Sequence, residues 1–305
     1  MSPAVAGMRG PEIPGFRWVR PLGQGGFADV FLYHQELPSR DVAIKVVRAQ
    51  GDERGTRELH READAMTLLA GHPSVVELHG VGTTSDGRAY LVMEYCPVAD
   101  LLTQVRARPM ALDRALETMI KISGGVEMFH RLGYVHRDIK PSNIMLDAYG
   151  KPVLADFGVA SKVGKLEVGA FDGFSVLWAP PEQQDGTGPF GPTIDVYSLA
   201  ATVHGILTGH SPFEVPGGDN RELSVLNRVL RSPVPAIGRS DVPAELERIL
   251  AIAMSKDHKR RYQSAREFAL ALQHVQSSLR LTPTPFEAMG VEGPTATYED
   301  DEGDE

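Results

Sequence analysis

A chain of 305 residues, 42% of them apolar, buries enough surface on folding to need no disulfide staple, and its one cysteine, Cys96, excludes a disulfide framework or cysteine-based zinc finger and fits a reducing cytoplasm. No run approaches about eighteen apolar residues, and the start, MSPAVAGMRGPEIPG, lacks the basic and apolar regions of a secretion signal, so neither a membrane span nor export is expected. The net charge of −9 is local: residues 281–305 hold eight acids and no Lys or Arg, which leaves −1 for the remainder and no reason to expect nucleic acid as a partner.

Residues 1–15, with three Pro, three Gly and no periodicity, read as a flexible leader. Short β-rich runs follow, Trp18 to Leu22, Asp29 to His34 and Asp41 to Val47, separated by Gly- or Pro-containing turns as in an antiparallel meander. In Glu53 to Ala70 the apolar Leu59, Ala63, Met66 and Leu69 recur every three or four residues and predict an amphipathic helix. Strand-like Val75 to Val81 and Arg88 to Tyr95 come next. Beyond Pro97 the pattern turns helical over Leu101 to Ala107, Leu112 to Leu132, Asp195 to Thr208, Leu223 to Arg231, Ala244 to Met254 and Ala265 to Leu281. A β-rich lobe over 16–95, a hinge at 94–99 and a helical lobe over 100–280 make an α+β chain of two lobes. Residues 281–305 have too few core-forming side chains to fold and read as a disordered acidic tail.

Three segments carry chemistry. Gly23-Gln24-Gly25-Gly26-Phe27-Ala28-Asp29-Val30 lies between two predicted strands, and its glycines let backbone N–H groups approach phosphates closely. Alone it reads equally well as a β-turn without a ligand; it lacks the following helix of a dinucleotide fold and the Lys-Ser/Thr ending of a P-loop. Val42-Ala43-Ile44-Lys45 places a lysine in an apolar strand, where it either snorkels to the surface or finds a partner such as Glu62. The most specific segment is His136-Arg137-Asp138-Ile139-Lys140-Pro141-Ser142-Asn143, followed by Asp156-Phe157-Gly158. It combines what phosphoryl transfer needs: a carboxylate for the acceptor hydroxyl, a cation for the moving phosphate, and oxygens for Mg²⁺.

With these segments in this order, the chain resembles the eukaryotic-like (Hanks-type) Ser/Thr protein kinases from about Phe16 to Arg280; LGQGGFADVFLY and LVMEYC are most similar to soluble actinobacterial members. The resemblance implies a bilobal protein kinase fold and a cytoplasmic enzyme that transfers the γ-phosphate of ATP to Ser/Thr hydroxyls of proteins, itself included, with Mg²⁺ or alternatively Mn²⁺. It implies that Leu22 and the Gly23, Gly25, Gly26 loop cover the nucleotide and that Lys45, paired with Glu62, holds the α- and β-phosphates. Asp138 would accept the hydroxyl proton, with Lys140 on the γ-phosphate and Asn143 and Asp156 on the metal. Met93 falls at the gatekeeper position, with the backbone of Glu94 and Cys96 on the adenine edge and Asp100 on the ribose. Val30, Ala43 and Met145 would sandwich the adenine, although a plain core role fits them equally. Met66, Leu78, His136 and Phe157, next to Gly158, match the stack linking the lobes; Ser175 would bridge Asp138 and Lys140. By the same resemblance Glu182 would pair with Arg261, and Asp195 would hold the backbone of the catalytic loop, both scaffold roles.

The sequence also departs from the family's pattern. Ala28 replaces the third loop glycine, Phe174 the glycine before Ser175, and Pro180 the alanine before Pro181-Glu182; Ser142 stands where basophilic members carry Glu. A catalytically dead scaffold is disfavoured because Lys45, Asp138, Asn143 and Asp156 are all retained. A small-molecule kinase is disfavoured by Lys140, Ser175 and Pro-Pro-Glu. The activation segment has no Thr or Tyr between Gly158 and Pro180, so Arg137 is expected to meet Glu167 or Asp172 rather than a phosphate, unless the loop leaves it in water. Candidate phosphoacceptors are Ser161, Thr282, Thr284, Thr295 and Thr297; Asp300, three residues after Thr297, gives a spacing like that favoured by phosphothreonine-binding forkhead-associated domains, an expected partner class.

Overall fold

Strand β1 (Phe16–Gln24), β2 (Ala28–Gln35) and β3 (Arg40–Val47) form the antiparallel meander that their alternation requires. A helix, α1 (Glu53–Leu68), precedes β4 (Leu78–Thr83) and β5 (Ala89–Glu94), and the five strands order as β1-β2-β3-β5-β4. The computed structural model describes residues 8–164 and 175–288. Asp52 starts α1 by accepting the Gly55 N–H at 2.8 Å, and the predicted apolar stripe, Leu59, Ala63 and Met66, is buried together with Glu62.

The second part is mostly helical: α2 (Leu101–Ala107), α3 (Leu112–Arg131), a short α4 (Pro181–Gln184), α5 (Pro192–Thr208), α6 (Glu222–Arg231), α7 (Ala244–Ala253) and α8 (Ala265–Ser278). Between α3 and α4 run the small strands β6 (Tyr134–Val135), β7 (Ile144–Leu146), β8 (Pro152–Leu154) and β9 (Ser161–Lys162), paired β6 with β9 and β7 with β8. Pro192 opens α5, Gly209 ends it at φ 87°, and nearly every residue between is buried, so α5 is the axis on which this lobe packs.

Three expectations change. Val75 does not start β4; it bridges Leu154, with Val76 N–H donating to Leu154 O at 3.0 Å, because these two valines bury against the helical lobe. The leader is not free from residue 8 onward: Ile13 is buried, and Tyr33 Oη donates to Pro11 O at 2.7 Å. Met8 and Ile13 cover the outer face of the sheet, where Phe31, Val42, Ile44 and Val46 would otherwise meet water. The tail does not begin as a disordered segment. Helix α8 stops at Ser278, Arg280 turns left-handed at φ 59°, and Leu281 N–H donates to Gln276 O at 2.9 Å, a Schellman closure. Residues 281–288 then lie across the lobe. Thr284 N–H donates to Gln276 Oε1 and its hydroxyl accepts from Gln276 Nε2, both at 2.8 Å, while Gln273 Nε2 donates to Thr284 O at 2.6 Å. Farther on, His72 Nε2 lies 2.7 Å from Glu287 O.

Candidate active site

Lys45 and Val30 face each other across β3 and β2, so they share the inner face of the sheet. The Lys45 ammonium is buried 2.7 Å from Glu62 Oε2, 2.9 Å from Glu62 Oε1 and 3.2 Å from Asp156 Oδ1. Burial alone would depress it, but Glu62 and then Asp156 outweigh that cost and keep it protonated well above its ordinary value. Lys45 in turn holds the Asp156 carboxyl below the usual carboxylate range. That carboxylate still reaches solvent, with 48% of its side chain exposed.

On the opposite side, Asp138 Oδ2 accepts from Lys140 Nζ at 2.6 Å and from Asn143 Nδ2 at 3.0 Å. Lys140 also donates to Ser175 Oγ at 2.7 Å, so the lysine, rather than the serine, is the residue that touches both Asp138 and Ser175. Burial raises the Asp138 carboxyl, and Lys140 offsets only part of that rise. Asn143 Nδ2 also donates to Asp138 O at 2.9 Å, so its amide nitrogen is held by the loop while its amide oxygen keeps acceptor capacity.

The loop is shaped from a distance. Asp195, fully buried in the first turn of α5, accepts His136 N–H and Arg137 N–H at 2.8 Å each, and lies 2.8 Å from His130 Nε2. Its burial opposes ionisation, yet the His130 bond and nearby imidazoles keep the carboxyl below its ordinary range. Two supports, His130 and Gln183, escaped the sequence reading. Gln183 Nε2 donates to Arg137 O at 2.8 Å, and the only signal for it was its place directly after Pro-Pro-Glu. Glu182 and Arg261 form a buried two-pronged pair at 2.5 and 2.9 Å, with Arg261 further bonded to Thr193 O and Ser255 O. His136 and Phe157 rings lie 4.8 Å apart, and Met66 and Leu78 pack in the same core. A Cβ on Gly158 would come 3.3 Å from Asp156 Oδ1, so that glycine permits the close turn.

Around the hinge, Ala43 and Leu78 both oppose Met93, while Leu22, Val30, Met93 and Met145 are half-buried. Asp100 caps α2: its oxygens accept Thr103 N–H at 3.0 Å and Thr103 Oγ1–H at 2.7 Å, a use the sequence reading did not foresee. Burial, then Glu94 and Asp147, push the Cys96 thiol up to about 12, which disfavours its thiolate form. Ser161 Oγ is buried in β9, and Thr284 is buried against Gln273 and Gln276 of α8, so neither hydroxyl is presented as a phosphoacceptor; Thr282 is exposed. Arg137 Nη1 lies 3.4 Å from Val159 O. Phe174, Glu167 and Asp172, like Thr295, Thr297 and Asp300, lie outside the described residues.

Among the described residues no three His, Cys, Asp or Glu side chains converge on a metal cage. Asn143 and Asp156 each carry a hard oxygen that could serve a divalent cation sharing its remaining positions with phosphates and water. No helix among the described residues is long and apolar enough to cross a membrane.

A family model described as the protein kinase domain matches residues 16–289. The serine/threonine-protein kinase PknK of Mycobacterium tuberculosis is 35% identical over 295 residues, covering 92% of this chain and 26% of the relative. PrkC of Bacillus subtilis is 31% identical over 285 residues, 91% of this chain and 43% of the relative, and PknJ of M. tuberculosis is 34% identical over 275 residues, 86% and 45%. The chain thus spans from a quarter to under half of the length of these curated relatives.

Proposed function

We propose a function from the premise that this chain belongs to the protein kinase family: it is an ATP- and Mg²⁺-dependent Ser/Thr protein kinase of the cytoplasm that also phosphorylates itself. One observation supports this above the others. The Lys45–Glu62–Asp156 cluster and the Asp138–Lys140–Asn143–Ser175 cluster form together, each with its hydrogen bonds made. In this reading Lys45 and Lys140 place positive charge around the phosphates, and Asn143 and Asp156 hold the metal, which neutralises phosphate charge when bound. Asp138 Oδ2 is occupied by Lys140 and Asn143, so its carboxylate is oriented to take the hydrogen of an acceptor hydroxyl. Lys140 reaching Ser175 favours a Ser/Thr acceptor over Tyr by the family's pattern. The forkhead-associated partner belongs to the same proposal and rests on the sequence around Thr297 alone.

The test is phosphate transfer by the purified chain from labelled ATP with Mg²⁺ to a generic protein substrate, followed by phosphoamino-acid analysis. Phosphoserine and phosphothreonine, lost in Asp138→Asn, are expected. Transfer only to Tyr, or equal transfer by Asp138→Asn, would overturn the reading.

A further inference from the structure

Arg48, the first residue beyond β3, makes a set of bonds that the described chemistry does not use. Its backbone N–H donates to Phe27 O at 2.9 Å, its Nη2 to Gly25 O at 2.6 Å, and its Nη1 lies 3.4 Å from Gly26 O. Three successive carbonyls of the glycine-rich loop therefore turn toward one residue. The guanidinium is aimed by Asp29, whose carboxylate accepts from Arg48 Nη2 at 2.9 Å and Nε at 3.3 Å.

The register sets the faces. Asp29 pairs with Val46 and Val30 with Lys45, so Asp29 and Arg48 lie on the outer face and Lys45 on the inner one. Across a trans peptide the C=O and the following N–H point in opposite directions. Carbonyls of Gly25 and Gly26 drawn outward thus send the N–H groups of Gly26 and Phe27 inward, while Gly25 N–H is already spent on Ala28 O at 2.8 Å. The Arg48 side chain is 48% exposed and that of Asp29 only 8%, so Arg48 both neutralises a buried carboxylate and carries its guanidinium out to the loop carbonyls.

We propose that Arg48, oriented by Asp29, is a positioning residue that fixes the peptide planes of the glycine-rich loop, so that the Gly26 and Phe27 N–H groups are preset to bind nucleotide phosphates. The proposal rests on the kinase reading of the site, and the glycines alone do not achieve this, because glycine leaves both orientations of each peptide open.

The test is calorimetric titration of the full chain with MgATP and, separately, with adenosine, which lacks phosphates. Wild type should bind MgATP more tightly than adenosine. Arg48→Ala should weaken MgATP about tenfold, the size of one lost hydrogen bond to a charged group, with adenosine unchanged. Arg48→Lys, which keeps a charge beside the buried Asp29 but cannot span the carbonyls, should fall between, and it replaces the alanine variant if that does not fold. Equal weakening of both ligands, or of neither, overturns the role of Arg48 alone. A wild type with no preference for MgATP overturns the kinase reading of the loop and the proposal with it.

Discussion

Arg137 N–H donates to Asp195 Oδ1 at 2.8 Å across 58 positions of sequence, and Arg137 sits at φ 70°, a left-handed conformation costly for a side chain of its size. The carboxylate on α5 and the amide of Gln183 on α4 bracket that residue and hold the turn that delivers Asp138.

Asp195→Asn should therefore lower both stability and turnover. An amide keeps one acceptor and turns its NH₂ toward a second donor, leaving a buried N–H unsatisfied at about 1–3 kcal/mol. The Asp195 carboxyl lies below its ordinary value in the fold, so its contribution is full above the ordinary carboxylate range and is lost as pH falls through the lower folded value. Thermal melts of the variant from neutral pH downward should show the deficit shrinking in acid; a constant deficit would contradict the assignment.

Lys45→Met, Asp138→Asn and Asp156→Asn should each reduce phosphate transfer by about 10²–10³, the typical loss for a removed electrostatic contact to the reacting group. ATP binding should survive best in Asp138→Asn, which lies on the acceptor side. Purified variants keeping more than about a tenth of wild-type rate would not fit these roles.

Burial raises the Asp138 carboxyl, so its protonated, inactive form persists to higher pH than for an ordinary Asp near about 3.9. The acid limb of the kcat/KM profile should accordingly lie above that value and shift in Lys140→Met, where the offsetting charge is gone. An acid limb at the ordinary carboxylate position would count against Asp138 as the titrating group.

Gly124 lies in the middle of α3, where alanine would gain about 1 kcal/mol of helix propensity. A Cβ there would collide with the Glu287 carbonyl oxygen, and overpacking of this kind costs about 1–3 kcal/mol. Gly124→Ala should then lower Tm and speed limited proteolysis within 281–288; a raised Tm would show that the segment does not bind this groove in solution.

Much of the site was legible along the chain because its chemistry comes in short segments. Asp138, Lys140 and Asn143 fall within six residues, and Asp156 stands beside Phe157-Gly158, so residue type and spacing carry the signal without any fold. The helices were legible from periodicity, since burying one face of α1 or α3 requires apolar residues every three or four positions. What tertiary structure decided were partnerships between distant residues: Gln183 with the Arg137 carbonyl, Arg48 with the glycine loop, and Thr284 with α8. These depend on hydrogen-bond direction and on which surface comes to cover which. TPTPFEA reads as polar tail by composition, yet Thr284 is buried because two glutamines of α8 satisfy its polar groups, and local sequence contains no record of that neighbour.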